Sequence, residues 1–185
     1  MQNRKVSNQR ITATRKKVQD ALLTLLEQKE IDKVTIKELC GLADINRTTF
    51  YNHYGSQYDV LQEIVQTYLE HTALLIQDKM AAGGDFKECF IDALQYMKKH
   101  TKFLQLLFSQ KHFQMLSGIN ICLPQFGEAI MNRQPADWPP QRKKAMAIFI
   151  QQGIIGILVD WIRSGCRESA EETAGLILFI LGSYS

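Results

Sequence analysis

A chain of 185 residues is long enough for one ordinary domain or for a small domain joined to a larger one, and its 45% hydrophobic and 22% charged content excludes an intrinsically disordered polymer. The formal net charge is only +3, yet Arg4, Lys5, Arg10, Arg15, Lys16 and Lys17 put +6 into residues 1–17 without an acid, leaving −3 for the remainder. That asymmetry suits a flexible basic arm beside a polyanion, and it equally suits a solvated tail.

From the N-terminus, Val18, Ala21, Leu22, Leu25 and Leu26 recur at helical spacing, with Ile11 and Thr14 extending the stripe backwards, which predicts a first helix over 11–29. The polar start of the chain lacks the apolar run of a signal peptide, so a cytoplasmic location is expected. Thr35 stands three residues before Glu38, the spacing of a reciprocal cap, and opens a second helix with Ile36, Leu39, Cys40 and Ala43 on one face. Asp44 interrupts that stripe at a tight turn. Asn46 then caps a short third helix over 47–54, stopped by Gly55. Ser56 with Asp59 starts a long fourth helix, about 56–82, ended by Gly83 and Gly84.

Beyond the glycine pair, 86–100, 103–108 and 113–131 read as helices, the last kinked at Pro124, and three prolines make 134–140 a loop. Two further helices follow over 141–164 and 170–182. The apolar run from Ala145 to Ile162 is broken by Gln151, Gln152 and Asp160, so it is expected as a buried helix rather than a membrane span. No segment alternates like a half-buried strand, and the expected class is all-α. The division is 1–60, a basic arm and three-helix DNA-binding domain, and 61–185, a larger helical dimerisation and ligand-sensing domain, connected by the fourth helix.

The second and third helices with their tight turn form a helix-turn-helix pattern. On the third helix Phe50 and Tyr54 share the inward face, Thr48 and Asn52 point away, and Thr49 and Tyr51 flank them. Short polar side chains allow close approach to a major groove, where Arg47 can fork onto guanine and Thr48 can meet a thymine methyl.

Residues 11–61, and above all the run VTIKELCGLADINRTTFYNHYGSQYDVL from Val34 to Leu61, resemble the DNA-binding domain of the TetR/AcrR family of bacterial transcriptional regulators. The resemblance implies that Lys37, Arg47, Thr48 and Tyr51 approach base edges of a double-stranded operator, with Thr35, Thr49, Asn52 and His53 closer to phosphates. Each has a plainer alternative: His53 as a cap or packing group, Tyr51 as a partly structural ring, Arg47 as a solvated side chain. Two positions depart from the family's usual pattern, Asp44 where the turn commonly has glycine and Gln57 where a phosphate-binding lysine is common. Losing that lysine weakens non-specific affinity, which the basic arm can offset.

The segment 141–164 is apolar around most of its circumference and 170–182 is similar, so both are expected to bury more than one side. Ile155, Leu158, Trp161, Ile162, Leu176, Phe179 and Ile180 are the expected homodimer interface, a four-helix arrangement with the second copy; an intramolecular core is the alternative. Tyr96, Phe103, Phe108, Phe113 and Met115 are candidate walls of a pocket for an unidentified small-molecule effector, and are also ordinary core types. Cys40, Cys89, Cys122 and Cys166 are too widely spaced for a local metal or redox motif and are expected as buried thiols. No cofactor, metal site or catalytic residue is expected, since phosphate-cradling loops, nucleophile elbows and paired ligand motifs are missing from the sequence. The function so read is a sequence-specific repressor released by an effector. The alternative is a coactivator or interaction module that keeps the fold and works through a protein partner.

Overall fold

The computed structural model describes residues 2–109 and 137–182, with side chains from residue 9 onward. The described residues are helical, without a strand: α1 (Gln2–Leu26), α2 (Ile36–Ala43), α3 (Arg47–Tyr51), α4 (Gln57–Ala81), α5 (Phe86–Lys99), α6 (Thr101–Ser109), α7 (Pro140–Arg163) and α8 (Ala170–Gly182), with a 3-10 turn at Ile31–Lys33. They fall into two compact units, 2–68 and 69–109 with 137–182, the division lying within α4 between Tyr68 and Leu69.

In the first unit α1 packs against α2, and the stripe read from sequence is inside: Val18, Ala21, Leu22 and Leu26 are buried, as are Ile31, Val34, Leu39 and Ala43. The segment 2–10 differs from the expected flexible arm, because α1 already begins at Gln2. No glycine or proline stands between residues 2 and 26, so nothing in the chain forbids the helical conformation there. The cap of α2 forms in both directions: Thr35 Oγ1 accepts from the Glu38 amide at 3.3 Å, and the Thr35 amide donates to Glu38 Oε2 at 3.0 Å. Lys29 Nζ donates to the other oxygen at 2.6 Å. That bond, then the Thr35 amide, holds the Glu38 carboxyl down at about 2.

At the other end of α2, Asp44 takes the left-handed conformation (φ 53, ψ 52), and the Ile45 amide donates back to the Cys40 carbonyl at 3.1 Å. This is the turn that aims α3. α4 is opened by Ser56 and Asp59, as their spacing predicts. It is closed by Gly83 at φ 87 and by Gly84, where a Cβ would come within 2.8 Å of the Lys79 carbonyl oxygen.

In the second unit α5 packs on α8 and α6 on α7, around Phe90, Leu94, Leu104, Leu107, Ile154, Ile162 and Ile177. The expected helix over 113–131, its kink at Pro124 and Cys122 lie outside the described residues. Cys40, Cys89 and Cys166 are buried free thiols.

The expectation of a buried helix over 145–162 is corrected within the protomer. α7 is long and apolar enough by composition to cross a membrane, and only 22% of its most apolar stretch is buried. Ile150, Ile154, Trp161 and Ile162 face the core, while Ile148 and Phe149 stand outside.

Candidate nucleic-acid interface

Three devices orient α3. Asn46 Oδ1 accepts from the Thr49 amide at 2.7 Å and fixes the entry. Phe50, fully buried, pins the middle. After Tyr51 the helix tightens, with the His53 and Tyr54 amides both donating to the Phe50 carbonyl at 2.9 and 3.0 Å, so the third helix ends three residues earlier than its sequence suggests. Tyr54 then returns to the core, its ring 5.7 Å from that of Phe50.

Sealing one face leaves the other open. Arg47, Thr48, Tyr51 and Asn52 are exposed, Thr49 and His53 are half-buried, and Thr35 and Lys37 are exposed on the first turn of α2. Tyr51 is 58% exposed, yet its ring stands edge-on to Phe50 at 5.5 Å, so a solvent-facing aromatic has a defined orientation. Hydroxyls, an amide, a guanidinium and a phenol on one short helix can donate to and accept from base edges and phosphate oxygens. Beneath them the Cys40 thiol is pushed up by burial, the chemistry of a packing group rather than a nucleophile.

Sequence reasoning missed a polar cluster behind this face, in which the Glu63 carboxylate accepts from Arg15, Gln19 and the Tyr54 hydroxyl. The available signal was Tyr54 itself, since a buried phenol needs a partner.

In the second unit the expected interface residues separate. Leu176 and Phe179 are exposed, Phe179 at 73%, and Ile155, Leu158 and Ile180 are half-buried. Trp161 (4% exposed) and Ile162 instead belong to the protomer's own core, with the Trp161 indole N–H donating to the Glu168 carbonyl at 3.1 Å. Phe149, on the apolar run of α7 but outside the expected interface set, is 61% exposed. Between α7 and α8 runs a groove of about 120 Å³ lined by Phe149, Gly153, Ile154, Ile157, Ile177 and Ile180, with none of the expected effector-pocket residues. Tyr96 is half-buried, with rings of His71 at 5.3 Å and His100 at 4.5 Å, and Phe103 and Phe108 are half-buried. Phe113 and Met115 lie outside the described residues. Among the described residues no three His, Cys, Asp or Glu side chains are grouped to hold a metal.

A helix-turn-helix with a polar outward face, followed by a second unit whose described residues are helical, is the arrangement of helix-turn-helix transcriptional regulators. Residues 84–182 match the family described as the transcriptional regulator C-terminal region of TetR-type proteins. The chain belongs to the TetR family of transcriptional regulators. An uncharacterized HTH-type transcriptional regulator of Bacillus subtilis strain 168, YxbF, is 21% identical over 101 residues, which are 52% of this chain and about a quarter (27%) of that protein's length. The solved TetR transcriptional regulator from Streptococcus agalactiae 2603V shares the fold at 20% identity, over 95% of this chain and 97% of that one, with a TM-score of 0.65. The dihydroxyacetone kinase operon activator DhaS does so at 20% identity, over 92% and 95%, with a TM-score of 0.59.

Proposed function

We propose that this chain is a sequence-specific DNA-binding repressor that acts as a homodimer in the cytoplasm and is released from its operator by a small-molecule effector. The observation that carries the DNA role is the polar outward face of α3 over the sealed aromatic pair Phe50 and Tyr54. Arg47 takes a guanine edge, Thr48 a thymine methyl, and Lys37 and Tyr51 neighbouring base edges. Thr35, Thr49, Asn52 and His53 hold phosphates and set the register.

The second copy covers the apolar face of α7 and α8, where Phe149, Leu158, Leu176 and Phe179 replace the expected Trp161 and Ile162 as the central contacts. Repression is the simpler sign, because occluding a promoter needs only the operator complex, whereas activation also needs a surface for the transcription machinery. The half-buried Tyr96, Phe103 and Phe108 supply the apolar wall an effector requires. The domain division proposed with this role keeps 1–60 for reading and 61–185 for dimerisation and sensing.

Recovery of bound duplexes from fragmented genomic DNA tests the reading role. One enriched, two-fold symmetric sequence supports it, and retention of all fragments equally contradicts it. A reporter placed behind the enriched sequence gives the sign: expression that rises when the protein is removed supports repression, and expression that falls shows activation.

A further inference from the structure

A five-residue helix has little more than one hydrogen-bonded turn of its own and cannot hold its orientation unaided. Packing of Phe50 keeps α3 against the unit, but apolar contact is non-directional, and the Asn46 cap directs only the entry of the helix. A second directional contact lies beyond its far end. Glu63, in the second turn of α4, accepts at Oε1 from Arg15 Nη1 at 2.8 Å and at Oε2 from Gln19 Nε2 at 3.1 Å, and Oε2 also accepts from the Tyr54 hydroxyl. The donors come from α1 and from the segment that closes α3, so one carboxylate of α4 ties both segments to it. Arg15 adds a second link, its guanidinium lying 5.9 Å from the Tyr54 ring centre.

We infer that Glu63 is a positioning residue for DNA reading: by holding the Tyr54 hydroxyl it sets the rotation of α3, and so the angle at which Arg47, Thr48 and Tyr51 are presented. This rests on the operator-reading role proposed above. A charge-assisted O–H to carboxylate bond is short and directional, which apolar packing is not. Tyr54 remains the donor at neutral pH, since burial, and then the bond to Glu63, hold its phenol above the ordinary tyrosine range. Arg15 balances the carboxylate, so the tie does not leave a half-buried charge without a counter-ion.

Tyr54→Phe keeps the ring in its seat and deletes only the hydroxyl; Glu63→Gln keeps the shape and deletes the charge. Each variant of the full chain is titrated by fluorescence anisotropy against a labelled duplex enriched by the wild type and against a scrambled duplex. Hydrogen exchange of the 47–54 amides is followed in the DNA-free protein. The expected result is a loss of about tenfold in the ratio of specific to scrambled affinity, the scale of one charge-assisted hydrogen bond. It comes with faster exchange in α3, a melting temperature that moves little for Tyr54→Phe, and a double variant no worse than the weaker single one. A merely structural role lowers both affinities together. An unchanged ratio, unchanged α3 exchange, or losses that multiply in the double variant would overturn the inference. A wild type that enriches no sequence would instead sink the reading role on which it rests.

Discussion

On α3 and the turn that closes it the aromatic residues divide cleanly, Phe50 and Tyr54 inside and Tyr51 outside with its ring braced, whereas on α7 and α8 large apolar side chains are left in solvent: Ile148, Phe149, Leu176 and Phe179. The first surface exposes groups that donate and accept hydrogen bonds in fixed directions, and the second exposes groups that gain only from losing water. Direction confers specificity and apolar area confers affinity, so the two surfaces are suited to different partners. Under the function proposed above, the first meets the ordered edges of a base sequence. The other gains only by losing water, and under the function proposed above it meets a second copy of the same chain.

Substitution of neighbours tests the division on α3 most severely. Phe50→Ala removes a fully buried ring and should destabilise the first unit by about 3–5 kcal/mol, read by urea denaturation. Tyr51→Ala, one residue on, should leave stability within about 0.5 kcal/mol and weaken DNA binding. Equal losses of stability would erase the distinction between the faces. On the apolar surface, Phe149→Glu and Phe179→Glu should each weaken self-association by about 2 kcal/mol or more, as removal of a central aromatic contact does. Sedimentation of the folded variants at monomer mass is the expected result, and retention of a wild-type dimer would place the interface elsewhere.

Smaller effects refine the reading side. Thr35→Ala removes the cap of α2 and should lower stability by about 1 kcal/mol. If it also changes the salt dependence of DNA binding, its hydroxyl contacts phosphate as well as the helix end. The smallest effect is in pH. Glu38 is held at about 2 in the folded chain, below the usual glutamate range, so its contribution is complete above that range and is lost as the pH falls towards 2. Glu38→Gln should remove this slope from acid denaturation. A variant with the wild-type slope would assign the acid sensitivity to other carboxylates.

Much of this was legible in the sequence because it is local. The reciprocal cap at Thr35 and Glu38, the caps at Asn46 and Ser56, and the stop at Gly83 and Gly84 each depend on residues within one turn of each other. The outward set on α3 followed from helical spacing in the same way. What depends on distant chain was not legible. A helix apolar on all sides does not say which side meets its own protomer, so Trp161 and Ile162 read as interface although Glu168 and the core claim them, and Phe149 counts in the apolar stripe without being placed on either side. Glu63 lies 48 residues from Arg15, and no periodicity links them. The start of α1 was missed for another reason: charge and polarity signal exposure, and an exposed segment can still be helical.

The central claim is that the outward face of α3 reads bases, and Arg47 is its most diagnostic residue because a guanidinium discriminates at a single base pair. The direct measurement is enrichment from a random duplex library by the wild type and by Arg47→Ala in parallel. The account predicts a two-fold symmetric sequence for the wild type, and for the variant the same sequence with the preference at one position in each half-site reduced by about 1–3 kcal/mol. Identical preferences for both proteins, or no preferred sequence for either, would contradict it.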